Sequence, residues 1–375
     1  MIIGIDARMY QEGLGIGRYI EKLIDQLGKV DEKNSYIVFL SKKKFEQFRL
    51  PNERWQKVCA DYHWYSWQEQ IFFPILLMRY RIDCMHFPHF NIPILYPRAF
   101  VATIHDLILM KFPLSAASAA TTLSPLIHSM KLFAYRWIIR FATIRARAII
   151  TVSEYVKKDV CAYLCVRPEK IFVIYEAADQ VKKCDSAAVL PATVRTPYIF
   201  STGNAYPHKN IEGLLKAMVL LQDKNSDISL ILCGQEDVFY RMMKKKIEEM
   251  GLFLSVQHLG FVSEEVLCAL YTHSLAYIFP SFEEGFGLPA LEAMAHDIPV
   301  IVSDTTCFQE ILSDAAYYVN PHSPQSIADA ITTIAGDMSL REQLRVKGLA
   351  QIKKYSWEQT ARQTIQIYQG VMNMS

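Results

Sequence analysis

Short apolar runs of three to five residues alternate along this chain with longer stretches in which apolar side chains return every three or four positions. The first pattern reads as buried strands and the second as amphipathic helices. In the first half the runs predict strands over Ile2–Ile5, Tyr36–Leu40, Cys84–His86, Phe100–Ile104, Ala148–Val152 and Ile171–Ile174. From Asp179 to Pro197 the periodicity lapses, with Lys182-Lys183, several alanines and two prolines. A second series follows at Tyr198–Ser201, Ser229–Cys233, Gln257–Leu259, Ala276–Phe279, Val300–Val302 and Ala316–Val319, and the ending, Tyr355–Met374, predicts a helix with no strand after it. Strands alternating with helices imply parallel sheets of the α/β class. The expected organisation is a Rossmann-like domain over 1–180, a linker over 181–196, a second such domain over 197–354 and a terminal helix over 355–375. Two doubly wound domains place a ligand in the cleft facing the carboxyl ends of their strands.

Composition narrows this picture. A chain of 375 residues, 51% hydrophobic and 21% charged, is long enough for two globular domains. A net charge of +2 does not suggest a nucleic-acid partner. The eight cysteines are scattered without a Cys-x-x-Cys pair, so neither a zinc site nor a disulfide framework is expected, and a reduced cytosolic protein fits best. Met1–Asp6 reads as a strand, not a signal peptide. The longest apolar run, Ile71–Met78, falls far short of the roughly 20 residues that cross a bilayer.

The richest chemistry lies in Pro280-Ser-Phe-Glu-Glu-Gly-Phe-Gly-Leu-Pro-Ala-Leu-Glu292. A Gly-x-Gly turn, Gly285-Phe286-Gly287, leads through Leu288 to a helix expected to start near Pro289, with Glu284 before it and Glu292 in its first turn. The start of a helix presents amides and a positive dipole end, which attract an anion. Two carboxylates around such a terminus suit a phosphorylated, polyhydroxylated ligand; taken alone, such a pair is more often a solvated helix start. Three other segments follow predicted strands. Gly13-Leu-Gly15-Ile-Gly17-Arg-Tyr19 brings glycines between strand and helix, a weak sign of phosphate contact. Thr103-Ile-His105-Asp106-Leu107 puts a His-Asp pair at a strand's carboxyl end, whereas His86–Asn91 reads better as a packed loop. Ser201–Asn210 sets Lys209 just before a helix, where a cation opposes the dipole unless a ligand needs it. No Asp-x-Asp pair occurs, so a metal-chelating transfer site of that type is not indicated.

In this order the motifs resemble the retaining family 4 glycosyltransferases, which have the GT-B fold. The Gly-Ile-Gly-Arg-Tyr loop, His105-Asp106, Ser153-Glu154, Lys209, the Glu284-x7-Glu292 spacing, Asp314-Ala-Ala and Tyr355-Ser-Trp-Glu358 carry the resemblance over nearly the whole chain. The resemblance implies a metal-independent transferase without cofactor, whose substrates are a nucleotide-sugar and a glycan or lipid-linked acceptor. GDP-mannose is the first guess for the donor. It implies that Glu292 holds the ribose and Glu284 the sugar hydroxyls, and that Lys209 and the Gly285–Leu288 amides stabilise the leaving diphosphate. His105 would lie against the sugar, with Asp106 orienting it or the acceptor, and Gly15 and Gly17 near the phosphates or acceptor. The final helix would cross back to the first domain. Two departures stand out: Asn204, after Gly203 of the diphosphate motif, where many relatives carry arginine, and Ile174–Asp179 in place of a more usual Asn-Gly segment. A sugar-nucleotide epimerase and a non-catalytic nucleotide-sugar-binding subunit are the rival readings.

From Leu107 to Ser153 there are six Lys/Arg residues and no acid. Arg136, Arg140 and Arg147 recur at helical spacing with Tyr135, Trp137, Ile138 and Phe141 among them. Such a helix either lies on an anionic membrane surface or packs its aromatics against a sheet.

Overall fold

The computed structural model describes residues 1–10, 15–113, 125–179, 190–224 and 226–373. It divides into two compact units, one of residues 1–107, 129–176 and 356–375 and one of 108–128 and 177–355. Most of the expected linker, 181–189, lies outside the described residues, as do Gly13 and Leu14.

The first unit is a seven-stranded, all-parallel sheet in the order β3-β2-β1-β4-β5-β6-β7. Its strands are β1 Ile2–Asp6, β2 Ser35–Leu40, β3 Trp55–Cys59, β4 Cys84–Phe87, β5 Phe100–Ile104, β6 Ala148–Thr151 and β7 Ile171–Val173. Ile3, Ile5, Val101 and Ile149 are fully buried, which is why these runs are apolar on both faces. Helix α1 (Gly15–Val30) buries Tyr19, Ile20, Leu23, Ile24 and Leu27, and the last helix of the chain, α14 (Trp357–Asn373), packs on it. β1 and β4 are neighbours from which the strand order runs outward in both directions, so the loops that follow them part at the sheet's carboxyl edge. Between β3 and β4 runs α3 (Trp67–Met78), and before β6 runs α5 (Pro125–Arg145), which belongs to this unit from residue 129 on, while α2 (Lys42–Phe45) and α6 (Glu154–Leu164) are shorter; α4 (Ile108–Lys111) follows β5 in the chain but belongs to the second unit.

The second unit repeats the plan with six parallel strands in the order β10-β9-β8-β11-β12-β13. They are β8 Tyr198–Thr202, β9 Ser229–Cys233, β10 Val256–His258, β11 Tyr277–Phe279, β12 Val300–Ser303 and β13 Tyr317–Val319. Helices α7 (Ile211–Asp223), α8 (Val238–Glu249) and α12 (Pro324–Gly336) cover the core of Leu214, Leu215, Leu230, Leu232, Ile301 and Ile331, and α9 (Glu264–His273), α10 (Leu288–Ala295), α11 (Thr306–Leu312) and α13 (Met338–Ile352) complete the unit. Here the order reverses between β8 and β11.

Every predicted strand is present, two of them to the residue and the others with ends shifted by one residue. One strand escaped prediction: β3, Trp-Gln-Lys-Val-Cys, is an edge strand with only Trp55 and Val58 buried, so its apolar run is broken by solvated positions. The helix after the Gly-x-Gly turn begins at Leu288, capped by Gly287, which puts Pro289 at its second position and Glu292 just past the first turn. Cysteines 59, 84, 161, 165, 233 and 307 are free thiols, but Cys268 is disulfide-bonded, which departs from the fully reduced state expected.

Candidate functional site

In the second unit β8 and β11 lie side by side in parallel, so the segments that leave them emerge at one edge. After β8, Gly203 has φ 120° and its carbonyl accepts the Tyr240 hydroxyl at 2.8 Å; that backbone angle suits glycine alone, and Asn204 beside it is exposed. The chain then makes a short 3-10 turn, Pro207–Lys209, and reaches Asn210 in the left-handed region at φ 57°. Asn210 carries the geometry of this corner. Its Oδ1 accepts from the Gly213 amide to cap α7, while its Nδ2 donates to the carbonyls of Pro280 (3.0 Å) and Pro321 (2.8 Å). The β8 segment is thereby fastened to the segment that leaves β11, and a bond from Phe282 N to His208 O (2.8 Å) fastens it again.

That fastening sets Lys209 against Glu284. Lys209 Nζ lies 2.7 Å from Glu284 Oε1 and 4.8 Å from the centre of the Phe279 ring, and both charged side chains are largely withdrawn from solvent. A pair so shielded keeps much of its Coulomb energy, whereas exposed pairs contribute little. Glu292 stands on α10 beyond the turn. Burial raises the Tyr277 phenol well above the usual range, the Thr202 hydroxyl at 3.1 Å opposes this, and the charges of Glu292 and Glu284 add to it. Gly287 closes the turn at φ 91°, and a Cβ there would come within 2.7 Å of the Phe308 ring. Gly285 and Phe286 are buried beside it, with Phe286 edge-on to Tyr355 at 5.6 Å and Leu288 opening the helix. One basic residue of the acid-free stretch is engaged next to this site: Lys111 Nζ lies 2.8 Å from Glu283 Oε1.

A cavity of about 430 Å³ in this unit is lined by Tyr206, Asn210, Lys216, Met243 and His322, and by none of Lys209, Glu284 and Glu292. The chemistry sits instead at the open edge where the two loops and the α10 terminus converge.

In the first unit the same logic places His105 at the carboxyl end of β5. Its Nδ1 lies 3.0 Å from Glu176 Oε1 and its Nε2 lies 2.9 Å from the Pro88 carbonyl, and the Tyr19 ring meets it edge-on at 4.7 Å. A carboxylate and a carbonyl both accept, so this arrangement favours a ring with both nitrogens protonated. Burial works against this charge, but the Glu176 hydrogen bond and charge outweigh it and raise the His105 pKa. The carboxylate in contact with the His105 ring is Glu176, in the Ile174–Asp179 segment, and the Asp106 charge adds to its effect. Asp106 acts on its neighbour Tyr135, whose phenol is raised by burial first and by Asp106 next. His86, behind them, bonds Tyr368 (2.7 Å) and Thr103 (2.9 Å), and burial followed by the His105 charge lowers its pKa to about 3. It is a packed neutral histidine. Gly15 opens α1 and Gly17 is buried in its first turn.

Because the His105 pKa is raised on folding, the pair's contribution to stability is full below the unfolded value of about 6.5 and is lost as pH rises through the folded value. Glu176→Gln removes the charge that offsets burial, so the His105 pKa is expected to fall. An NMR titration of its ring protons checks this, and an unchanged midpoint contradicts the assignment.

Sequence reasoning missed one group altogether. Arg8 donates Nε and Nη2 to Asp6 (2.8 and 2.7 Å) and Nη2 to Glu69 (2.6 Å), and the Glu69 Oε1 also accepts Asn91 Nδ2 at 2.6 Å. All four residues are buried, between the ends of β1 and β4 and the start of α3. Their separation along the chain hid them; only Asp6-x-Arg8 at the end of the first strand was a visible signal.

Residues 15–180 match the family described as Glycosyltransferase Family 4, and residues 183–350 match Glycosyl transferases group 1. The chain is 28% identical to O-antigen chain mannosyltransferase B of Escherichia coli, over 95% of this chain and 92% of that one. It is also 28% identical to O-antigen chain mannosyltransferase RfbU of Salmonella typhimurium, over 89% and 90%. Among solved structures, sucrose-phosphate synthase from Thermosynechococcus elongatus superposes with a TM-score of 0.78 at 19% identity, covering 100% of both chains, which shows the shared GT-B fold.

Proposed function

This chain belongs to the family 4 glycosyltransferases, and from that premise we propose that it moves mannose from GDP-mannose to a glycan or lipid-linked acceptor, with retention of anomeric configuration and without a metal ion or cofactor. The observation that carries the reading is the shielded Lys209–Glu284 pair, 2.7 Å apart before the glycine turn that opens α10. Breaking the anomeric bond leaves positive charge on the sugar and negative charge on the diphosphate. Lys209 and the amides of Gly285, Phe286, Gly287 and Leu288 supply fixed positive potential for the second, and the Glu284 carboxylate suits the sugar hydroxyls and the first. Glu292, one helical turn further on, takes the ribose. Gly203 and Asn204 line the diphosphate side, where the absence of the arginine leaves Lys209 as the cation. His105 and Asp106, with Gly15 and Gly17, serve the acceptor and the reacting sugar.

The mannose reading draws on the two O-antigen mannosyltransferases similar to this chain over most of their length. Metal independence draws on the lack of an Asp-x-Asp pair and on the cation and amides that take a metal's place. The test is release of GDP from GDP-mannose in excess EDTA, with UDP-glucose as the competing donor. Release undiminished by EDTA and selective for GDP-mannose is expected; a rate restored only by added Mg²⁺ or Mn²⁺, or selectivity for UDP-glucose, contradicts the corresponding part.

We also propose that the first unit rests on an anionic membrane from the cytoplasmic side. No helix among the described residues is long and apolar enough to cross a bilayer. On α5, Met130, Phe133, Trp137 and Ile144 are each more than 60% exposed, with Arg136 and Arg140 between them. On α3, Trp67, Ile71, Phe72, Ile75 and Met78 are exposed as well. The loop after β4 joins the two helices: Phe90 packs on Tyr135 at 4.9 Å, Ile94 N bonds Gln70 at 2.8 Å, and Leu95 projects at 64% exposure. Apolar surface on this scale with arginines interspersed is the composition of an interfacial face, each cation adding about 1 kcal/mol at an anionic surface. Co-sedimentation with vesicles containing anionic lipid is expected to fall at least about tenfold in Trp137→Glu/Phe133→Glu; equal recovery of wild type and variant would remove the proposal.

A further inference from the structure

Tyr65 is the one bulky residue in the loop before α3 that is held against its backbone preference: its φ is 62°, in the left-handed region, where a large side chain is an outlier. Such strain persists only where the surroundings over-determine it, and it concentrates at ligand-contacting positions. Here they do so from two sides. The Tyr65 amide donates to Glu69 Oε2 at 2.8 Å, and Glu69, fully buried, is fixed in turn by Arg8 and Asn91. On the other side Ser66 Oγ donates to the His63 carbonyl at 2.6 Å while capping α3 through the Glu69 amide. A buried ion cluster thus holds the backbone of a residue that is 56% exposed and whose hydroxyl makes no hydrogen bond among the described residues.

The ring is not isolated. It lies 6.5 Å from the His89 ring and 6.4 Å from the Phe90 ring, and Phe90 meets Tyr135 edge-on at 4.9 Å. An open aromatic face matches a pyranose, which presents an apolar C–H face. Tyrosine provides such a contact area with few rotatable bonds to immobilise.

We propose that Tyr65 is a stacking platform for a sugar ring of the acceptor glycan, with the Arg8–Glu69 cluster positioning the platform. The proposal rests on the glycosyltransferase reading above and adds to it where the acceptor binds. The test uses α-mannotriose as the probe, with binding followed by saturation-transfer NMR and donor turnover followed as GDP release from GDP-mannose in water. Tyr65→Gly is the informative variant, since glycine adopts a positive φ freely and removes the ring without harming the fold. Its melting temperature is expected to equal or exceed that of the wild type, its GDP release to stay within about twofold, and its affinity for the trisaccharide to fall at least about tenfold. Tyr65→Phe, which keeps the stacking face, is expected to bind within about threefold of wild type. Wild-type affinity in Tyr65→Gly, or no trisaccharide binding by the wild type, overturns the platform. Absence of GDP release from the wild type would instead overturn the underlying donor reading, so the two failures are told apart.

Discussion

Glutamine at Glu284 is expected to lower sugar transfer by about 10²–10³-fold while leaving the dissociation constant for GDP within about threefold. The substitution keeps the shape of the side chain and removes its charge. Glu284 touches Lys209 at 2.7 Å and stands before the turn, whereas Glu292 stands beyond it on α10. On the proposed reading, loss of the first is expected to act on the sugar and on Lys209, and loss of the second on nucleotide binding. Glu292→Gln should show the opposite division: weaker GDP binding and a smaller fall in turnover at saturating donor. Lys209→Met should match Glu284→Gln in kcat, and the double variant should fall little further, because residues acting as a unit are not additive. Isothermal titration with GDP and initial rates with GDP-mannose separate the cases. Wild-type turnover in Glu284→Gln would remove the assignment, and equal losses of GDP affinity in both glutamate variants would remove the division of roles.

Much of the fold was legible because a buried parallel strand is apolar on both faces and stands out as an uninterrupted run. β9, Ser-Leu-Ile-Leu-Cys, is buried along its whole length and was read to the residue; β3, alternating buried and solvated at a sheet edge, was not read at all. The second unit's site was legible for a different reason. Its residues fall in two segments that each follow a strand, and sheet order at the β8–β11 reversal brings those segments together. What the sequence concealed was the fastening. Asn210 was visible only as the end of a motif, yet its three hydrogen bonds hold Lys209 in place; an Asn directly before a helix, tolerant of the left-handed region, was the available signal. Glu176 was hidden in a segment that looked merely unusual. Its partner His105 lies 71 residues away, and nothing local connects a carboxylate to an imidazole at that distance along the chain. The helix start was misplaced by one residue because proline is tolerated throughout the first turn, so Pro289 marks the turn and not its first position.

The largest effect on stability is expected at Arg8. Methionine there keeps much of the volume and the packing on Phe73, whose ring centre lies 3.9 Å from the guanidinium carbon, but leaves Asp6 and Glu69 as two buried carboxylates without their cation. Removing one partner of a buried ion group typically costs about 3–5 kcal/mol, because the remaining charge has lost its compensation while still desolvated. The sign of the pH dependence follows from Glu69. Burial raises its pKa, and the Arg8 charge and the Asn91 hydrogen bond restrain that rise. Without Arg8 the folded pKa climbs further above the unfolded value, so below it the folded state binds more protons than the unfolded one and gains stability as pH falls. The deficit of Arg8→Met relative to wild type should therefore shrink between pH 7 and pH 5. Taking the difference between the two proteins cancels the opposing contribution of His86 and His89, both held near 3 by burial and the His105 charge, which weakens either protein alike on acidification. Arg8→Met/Glu69→Gln, with one of the stranded charges removed, should recover part of the loss at pH 7. Urea unfolding of the three proteins at both pH values measures each quantity. A deficit under about 1 kcal/mol, or one that grows on acidification, would show that the cluster is not the electrostatic anchor of the loop that carries Tyr65.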